Sequence, residues 1–272
     1  MRDVWFFSGL EDRVSDEECL QATIEVDVIP RLLAASRAIE TEPVDARAQP
    51  SDLDTFCQVL LGDTVEDVFL YIDEQIQRGV TLDAVYLGHL AGAARRLGVL
   101  WEEDAISLGE VSIGLMRMHQ VLRRLSPSFV SEAPVAATSG TALFAVAPGE
   151  THALGVVIMA EFFTRAGWQT HVDLNPEEDE LSAAVLRSGA TLVGLSASAT
   201  RFLPQVKTSI DLIRTAVDGR PLFILVGGNA FAEDPSAARR VGADGFAHDA
   251  IEALALVKKM AIRNGSGPSP LN

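Results

Sequence analysis

The sequence predicts an α/β protein in two parts, an N-terminal four-helix bundle followed by a five-stranded parallel sheet. Three observations carry this expectation. Residues 51–128 place apolar residues at helical spacing in four stretches with short connections. From residue 141 the pattern changes to short apolar runs alternating with amphipathic stretches, five times over, as βα units do. Between the two lies "FVSEAPVAATSG", which has neither period and reads as a linker.

Taken in order, residues 1–50 form a helical leader and linker. "SDEECLQATIEVDVIPRLLAAS" has helical spacing, and "TEPVDARAQP" breaks it with two prolines. The apolar "VWFF" near the start suits docking on the body or on a partner. In the bundle, Ser51 is the cap residue of the first helix, which stops at Gly62. Asp63 caps the second, which carries acids in its first turn and stops at Gly79. Thr81 caps the third, "TLDAVYLGHLAGAARRLGVLWEED". The fourth, "EEDAISLGEVSIGLMRMHQVLRRLSP", closes at Pro127.

The second part spans residues 139–264. Its expected strands are "TALFAVA", "WQTHVDL", "TLVGLSA", "PLFILVGG" and "DGFA". Helices are expected over 152–166, 178–188, 203–217, near 234–241 and over 249–262. Residues 265–272 read as a disordered tail.

Composition bounds the function. The formal charge of −16 opposes direct nucleic-acid binding, which needs a basic surface. No apolar run approaches the ~18–20 residues of a membrane span, and the start of the chain lacks a secretory pattern. Two isolated cysteines, Cys19 and Cys57, imply no disulfide framework, and a cytoplasmic location follows. The chain has no P-loop, GxGxxG or HExxH motif.

Open parallel sheets bind ligands at the carboxyl ends of their strands, near the switch point. In the flavodoxin-like order 2-1-3-4-5, strands one, three and four are neighbours. Strand one is followed by Glu150-Thr151-His152-Ala153-Leu154-Gly155. Strand three ends in Ser196 and Ser198, and strand four in Gly227 and Gly228. That topology gathers all three groups on one rim. His152 then reads as a metal ligand: the positive end of a helix favours the neutral ring, and Glu150 is placed to hold its other nitrogen. Gly155 clears the first helical turn for a bulky ligand. The alternative is a helix start with His152 solvated. Likewise, Ser196 and Ser198 either line a slot or cap a strand, and Gly227-Gly228 either admits a flat ligand or makes a turn needing positive φ.

The spacing adds to this. Forty residues separate Gly155 from Ser196, and twenty-eight separate Ser198 from Gly227. With Glu-x-His-x-x-Gly, Ser-x-Ser and Gly-Gly, the chain resembles the cobalamin-binding domain family over about residues 51–262. That family carries Asp-x-His-x-x-Gly, then Ser-x-Leu, then Gly-Gly, on a Rossmann-like sheet behind a helical bundle. The resemblance implies that His152 is the lower axial cobalt ligand, with cobalamin base-off. It implies that the nucleotide tail lies beside Ser196, Ser198, Gly227 and Gly228. It also implies that the bundle caps the upper face of the corrin. Glu150 stands where the family has Asp, and Ser198 where it has Leu, which makes the slot more polar.

Adenosylcobalamin photoreceptors of the family carry Trp, nine residues, then Glu-His over that upper face. Here Trp101 matches, but the Glu-His positions are Val111 and Ser112. The resemblance therefore implies water or hydroxide above the cobalt rather than an adenosyl group. His89 and His119 read as ordinary bundle residues. No winged helix precedes the bundle, and the whole chain is most similar to the AerR/PpaA group of photosynthesis-gene regulators. This likeness implies a non-enzymatic antirepressor, responsive to cobalamin or light, that binds a DNA-binding repressor of the PpsR/CrtJ type. Other readings are a corrinoid carrier for methyl transfer and a cofactor-free interaction domain. A fourth is a serine hydrolase, because "GLSAS" is close to a nucleophile elbow and Asp244 and His248 follow in order.

Overall fold

The computed structural model describes residues 50–131, 140–177 and 180–264. The expected leader up to residue 49, most of the linker and the tail lie outside the described residues, as does Cys19.

The bundle consists of α1 (Pro50–Leu61), α2 (Val65–Gln77), a π-helical segment (Ala84–Leu90) running into α3 (Ala91–Glu102), and α4 (Leu108–Ser131). Local chemistry sets the ends. Thr64, not Asp63, caps α2, accepting from the Asp67 N–H at 3.2 Å. The Asp63 carbonyl instead accepts from Arg117, a buried residue that also bonds the carbonyls of Leu60 and Gly62. One guanidinium thus satisfies orphan acceptors at the C-terminal end of α1. Thr81 accepts from the Ala84 N–H at 3.2 Å and caps the third helix as expected.

Ser51, expected as the cap of α1, lies inside that helix, and two further boundaries differ from expectation. The fourth helix does not begin at Glu102. The chain turns at Asp104, with φ 55°, and restarts after a reciprocal cap between Ser107 and Glu110. Nor does it close at Pro127, which lies inside α4. The missing N–H removes one bond near the helix end. Packing outweighs that loss, because Phe129 beyond it is fully buried and stacks on Tyr86 with ring centroids 4.1 Å apart.

The second part contains β1 (Thr141–Val146), α5 (Leu154–Arg165), β2 (Gln169–Asp173), α6 (Glu180–Ser188), β3 (Leu192–Ser196), α7 (Leu203–Val217) and β4 (Phe223–Gly227). It continues through α8 (Asn229–Glu233), α9 (Ala237–Arg240), β5 (Gly245–Phe246) and α10 (Ala250–Asn264). The short helix expected near 234–241 is α9, and α8 before it was not expected. All strand pairs are parallel and the order is β2-β1-β3-β4-β5, as predicted. Period-2 alternation divides the layers. Leu143, Ala145, Leu195 and Val226 pack with α6 and α7, while Phe144, Val146 and Leu225 pack with α5 and α10.

Helix α5 serves two cores. Val156, Ala160 and Phe163 face the sheet, and Leu154, Ile158 and Phe162 belong to the bundle core with Tyr86 and Phe129. The Tyr86 hydroxyl donates to Glu161 at 2.6 Å, and Arg165 pairs with Asp83 at 2.5 Å over the ring of Phe129. The helix that begins just after His152 is therefore also the seat of the bundle. No helix among the described residues is long and apolar enough to cross a membrane.

Candidate functional site

Register places the expected rim residues together. Val146, Ser196 and Gly227 form one row across β1, β3 and β4, at the carboxyl ends of these strands. The loop after β1 carries Glu150, whose side chain is only 1% exposed, and His152, whose side chain is 61% exposed. Oε1 of Glu150 accepts from the N–H groups of Thr151 and His152 at 2.8 and 3.0 Å and lies 2.5 Å from His152 Nδ1. Oε2 accepts from the Ser198 N–H at 2.9 Å and from the Ser198 hydroxyl.

Burial alone would raise the pKa of Glu150. Hydrogen bonds from Ser198 and His152 outweigh it and bring the carboxyl down to about 2. An ionised carboxylate only accepts, so Nδ1 of His152 carries the hydrogen. In the neutral ring the lone pair is then on Nε2. The result is an outward-facing imidazole, fixed in tautomer and orientation by a buried anion.

Ser198, just beyond the end of β3, has a partner that the sequence did not indicate. Its N–H and hydroxyl both donate to Glu150, so it anchors the carboxylate. The departures at Glu150 and Ser198 are two ends of one contact. A longer acid reaches across to a hydroxyl at the end of the neighbouring strand. Leu154 is off the rim, packed into the bundle core. Ala153 is the N-cap of α5 and makes no side-chain cap bond. Thr151 is exposed and contributes its N–H.

The glycines divide. A Cβ on Gly155 would meet nothing within 4 Å, so the first turn of α5 faces open space. Gly228 has φ +93°, and a Cβ there would lie 2.3 Å from the Ala197 carbonyl oxygen, so this glycine is required by the turn. Gly227 is intermediate, with Ala247 O at 3.2 Å from a Cβ. Gly194 and Phe144 were not picked out from the sequence. Along β3, Gly194 and Ser196 are the half-buried positions and the other three are buried. On the α5/α10 face, Ser196 and Gly227 thus present little side chain at the rim, and Gly194 presents none one row below it. A glycine inside a strand pattern was the available signal for this.

Of the bundle residues, Trp101 is 48% exposed at the end of α3 and is no core residue. Ser112 is exposed and donates to the Leu108 carbonyl, and Val111 is half-buried. No hydrogen bond or ring contact among the described residues joins these three to the His152 loop. His89 is buried among Phe56 and Tyr71, as a bundle residue. The hydrolase reading fails: Asp244 is held by Arg214 at 2.6 Å and caps the start of β4 through Ile224 N–H, and His248 contacts Glu252.

This donor set suits a particular kind of metal. Among the described residues no group of three or more His, Cys, Asp and Glu could chelate an ion. A bare zinc needs three or four protein ligands. A single oriented imidazole beside the open first turn of α5 fits a metal that brings its own equatorial ring. Residues 140–255 match the family model of the B12 binding domain.

Over those residues the chain is similar to B12 binding domains. The chain is also similar, along about two thirds of its length, to shorter proteins. An uncharacterized 20.5 kDa protein from the bchF-crtJ intergenic region of Rhodobacter capsulatus is 27% identical over 185 residues, 66% of this chain and 93% of that protein. A corrinoid protein of Desulfitobacterium hafniense is 26% identical over 70% of this chain and 86% of its own. Among solved structures, the monomethylamine corrinoid protein of Methanosarcina barkeri has the same fold, with a TM-score of 0.66 at 21% identity. That likeness covers 78% of this chain and all of the other, so it includes helices before residue 140 as well as the sheet.

Proposed function

We propose that the protein is a cobalamin-binding regulator. It holds cobalamin base-off, with His152 Nε2 as the lower axial ligand and the nucleotide tail in a groove beside Ser196 and Gly227. It then acts through protein contact on a DNA-binding repressor of the PpsR/CrtJ type. The observation that carries the binding mode is the exposed His152 ring, held at Nδ1 by the buried, ionised Glu150. Cobalamin, when bound, supplies a cobalt centre with exchangeable axial ligands. The chain's own residues do the rest. Glu150 orients the imidazole, Ser198 fixes Glu150, and Gly155 leaves room at the first turn of α5.

Val111 and Ser112 offer no imidazole to the upper face, which supports water or hydroxide there rather than an adenosyl group. The regulatory half is supported by the Rhodobacter capsulatus relative of the bchF-crtJ region. The acidic charge supports action on a repressor rather than on DNA. The corrinoid protein among the relatives favours a second reading, a carrier for methyl transfer. Methylation and turnover of the bound corrinoid by a partner methyltransferase would establish the carrier in place of the regulator.

The test has two stages. The purified protein incubated with cobalamin should retain its colour through desalting, and His152→Ala should not. The holo-protein should then change the DNA occupancy of the repressor in a mobility-shift assay, with no shift of DNA by the protein alone. Equal effects with and without cobalamin remove the cofactor from the signal.

A further inference from the structure

We propose that Phe144 is the depth stop of the groove and selects the corrinoid by the size of its nucleotide base. The inference rests on the base-off reading above. Glycine in a central strand weakens it and marks a close approach. At Gly194 in β3, a Cβ would lie 2.5 Å from Cδ1 and 2.8 Å from Cε1 of Phe144. The phenyl ring thus lies across the glycine and fills the volume its side chain would take. Phe144, Gly194 and Leu225 form one row across β1, β3 and β4. The next row on the same face is Val146, Ser196 and Gly227 at the rim.

The upper row is small at two of its three positions, and the lower row is closed by a ring. Two residues of strand rise separate them, about 6.6 Å, close to the length of one fused bicyclic base. Phe144 is itself braced. It is 3% exposed and meets Phe163 edge-on at 4.9 Å, and Phe163 meets Trp168 at 5.6 Å. A ring fixed on that side cannot retreat easily from a longer base. The groove should take a base of benzimidazole length and reject one with a further fused ring.

The experiment titrates the full chain with three corrinoids and reads dissociation constants from the visible spectrum. These are cobalamin, a cobamide with a naphthimidazole base, and cobinamide, which has no base. Wild-type protein should bind cobalamin tighter than cobinamide, and tighter than the naphthimidazole cobamide by about tenfold or more, the scale on which a packed pocket rejects added bulk. Phe144→Leu should close most of the second gap and leave cobinamide unchanged. Gly194→Ala should push the ring toward the rim and weaken cobalamin, again leaving cobinamide unchanged. Unchanged cobinamide binding and circular dichroism serve as the check that each variant is folded, and Phe144→Met replaces Phe144→Leu if that variant fails it. Equal affinity of wild type for cobalamin and cobinamide would show that the tail is not in the groove, and the base-off reading itself fails. A cobalamin preference over cobinamide, with a naphthimidazole gap that Phe144→Leu does not alter, overturns the role of Phe144 and leaves that reading standing.

Discussion

Glu150 accepts from Thr151, His152 and Ser198 through both of its oxygens, and every partner faces it with a hydrogen. Glu150→Gln would turn an amide NH2 against these donors. Cobalamin affinity should fall about 10–100-fold, the usual scale when the group behind a metal-bound histidine is changed. Ser198→Ala removes only the hydroxyl and should cost less. His152→Ala, at an exposed side chain, should leave circular dichroism unchanged and abolish tight binding. The acid response has a definite sign. The folded pKa of about 2 lies below the ordinary 4.5, so the stabilisation is complete above about 4.5 and is lost as the pH falls through 2. The gap in Tm between wild type and Glu150→Gln should therefore shrink from pH 6 to pH 3, and a constant gap contradicts the assignment. Cys57 shows the opposite case: burial, with Asp54 adding to it, raises its thiol to about 11. Its peptide should resist alkylation at pH 8 in the native protein and react fully in denaturant.

At the scale of elements, two glycines of the rim should behave in opposite ways. Gly155→Ala adds a methyl to open space in α5, so Tm should hold or rise while cobalamin binding weakens. Gly228→Ala meets both a positive φ and the Ala197 carbonyl, and should lower stability by about 1–3 kcal/mol or more whether or not cobalamin is present. Thermal melts with and without cobalamin separate the two. The sequence made the positions of these residues legible, because strand order and chain spacing put His152, Ser196 and Gly227 on one rim without reference to side chains. It did not show which side chains would meet. The partner of Ser198 depends on the reach of a glutamate across two loops, and the overlap of Phe144 with Gly194 depends on the register of two strands 50 residues apart. In the bundle, Pro127 read as a stop because propensity is local, whereas the packing of Phe129 on Tyr86 that overrides it is not.

For the whole molecule, α5 joins the site to the bundle. Its first residue, Leu154, is in the bundle core, two positions after His152. Tyr86 and Glu161 close the same interface, where burial raises the Glu161 pKa against the hydrogen bonds of Tyr86 and Ser126. Helix α5 thus ties the His152 loop to the π-helical segment and α4, where Phe162 packs on Tyr86 and Phe129. For the proposed repressor, coupling of roughly 1–3 kcal/mol would shift its affinity about 5–150-fold, and it would shift cobalamin affinity by the same factor. Calorimetric titrations of each ligand in the presence of the other check that reciprocity. Tyr86→Phe should reduce the coupling while leaving cobalamin affinity in the absence of repressor nearly unchanged.

The central claim is that a protein imidazole has replaced the cofactor's own base below the cobalt. Electron paramagnetic resonance of the reduced, cobalt(II) holo-protein tests it most directly. The protein is prepared with 15N-labelled histidine and loaded with unlabelled cobalamin, so the nitrogen splitting on the cobalt lines reports the origin of the axial ligand. A doublet pattern in labelled wild type, absent from labelled His152→Ala, is the predicted result. A triplet that persists in labelled wild type would mean that the base of the cofactor still binds the cobalt, and would contradict the account.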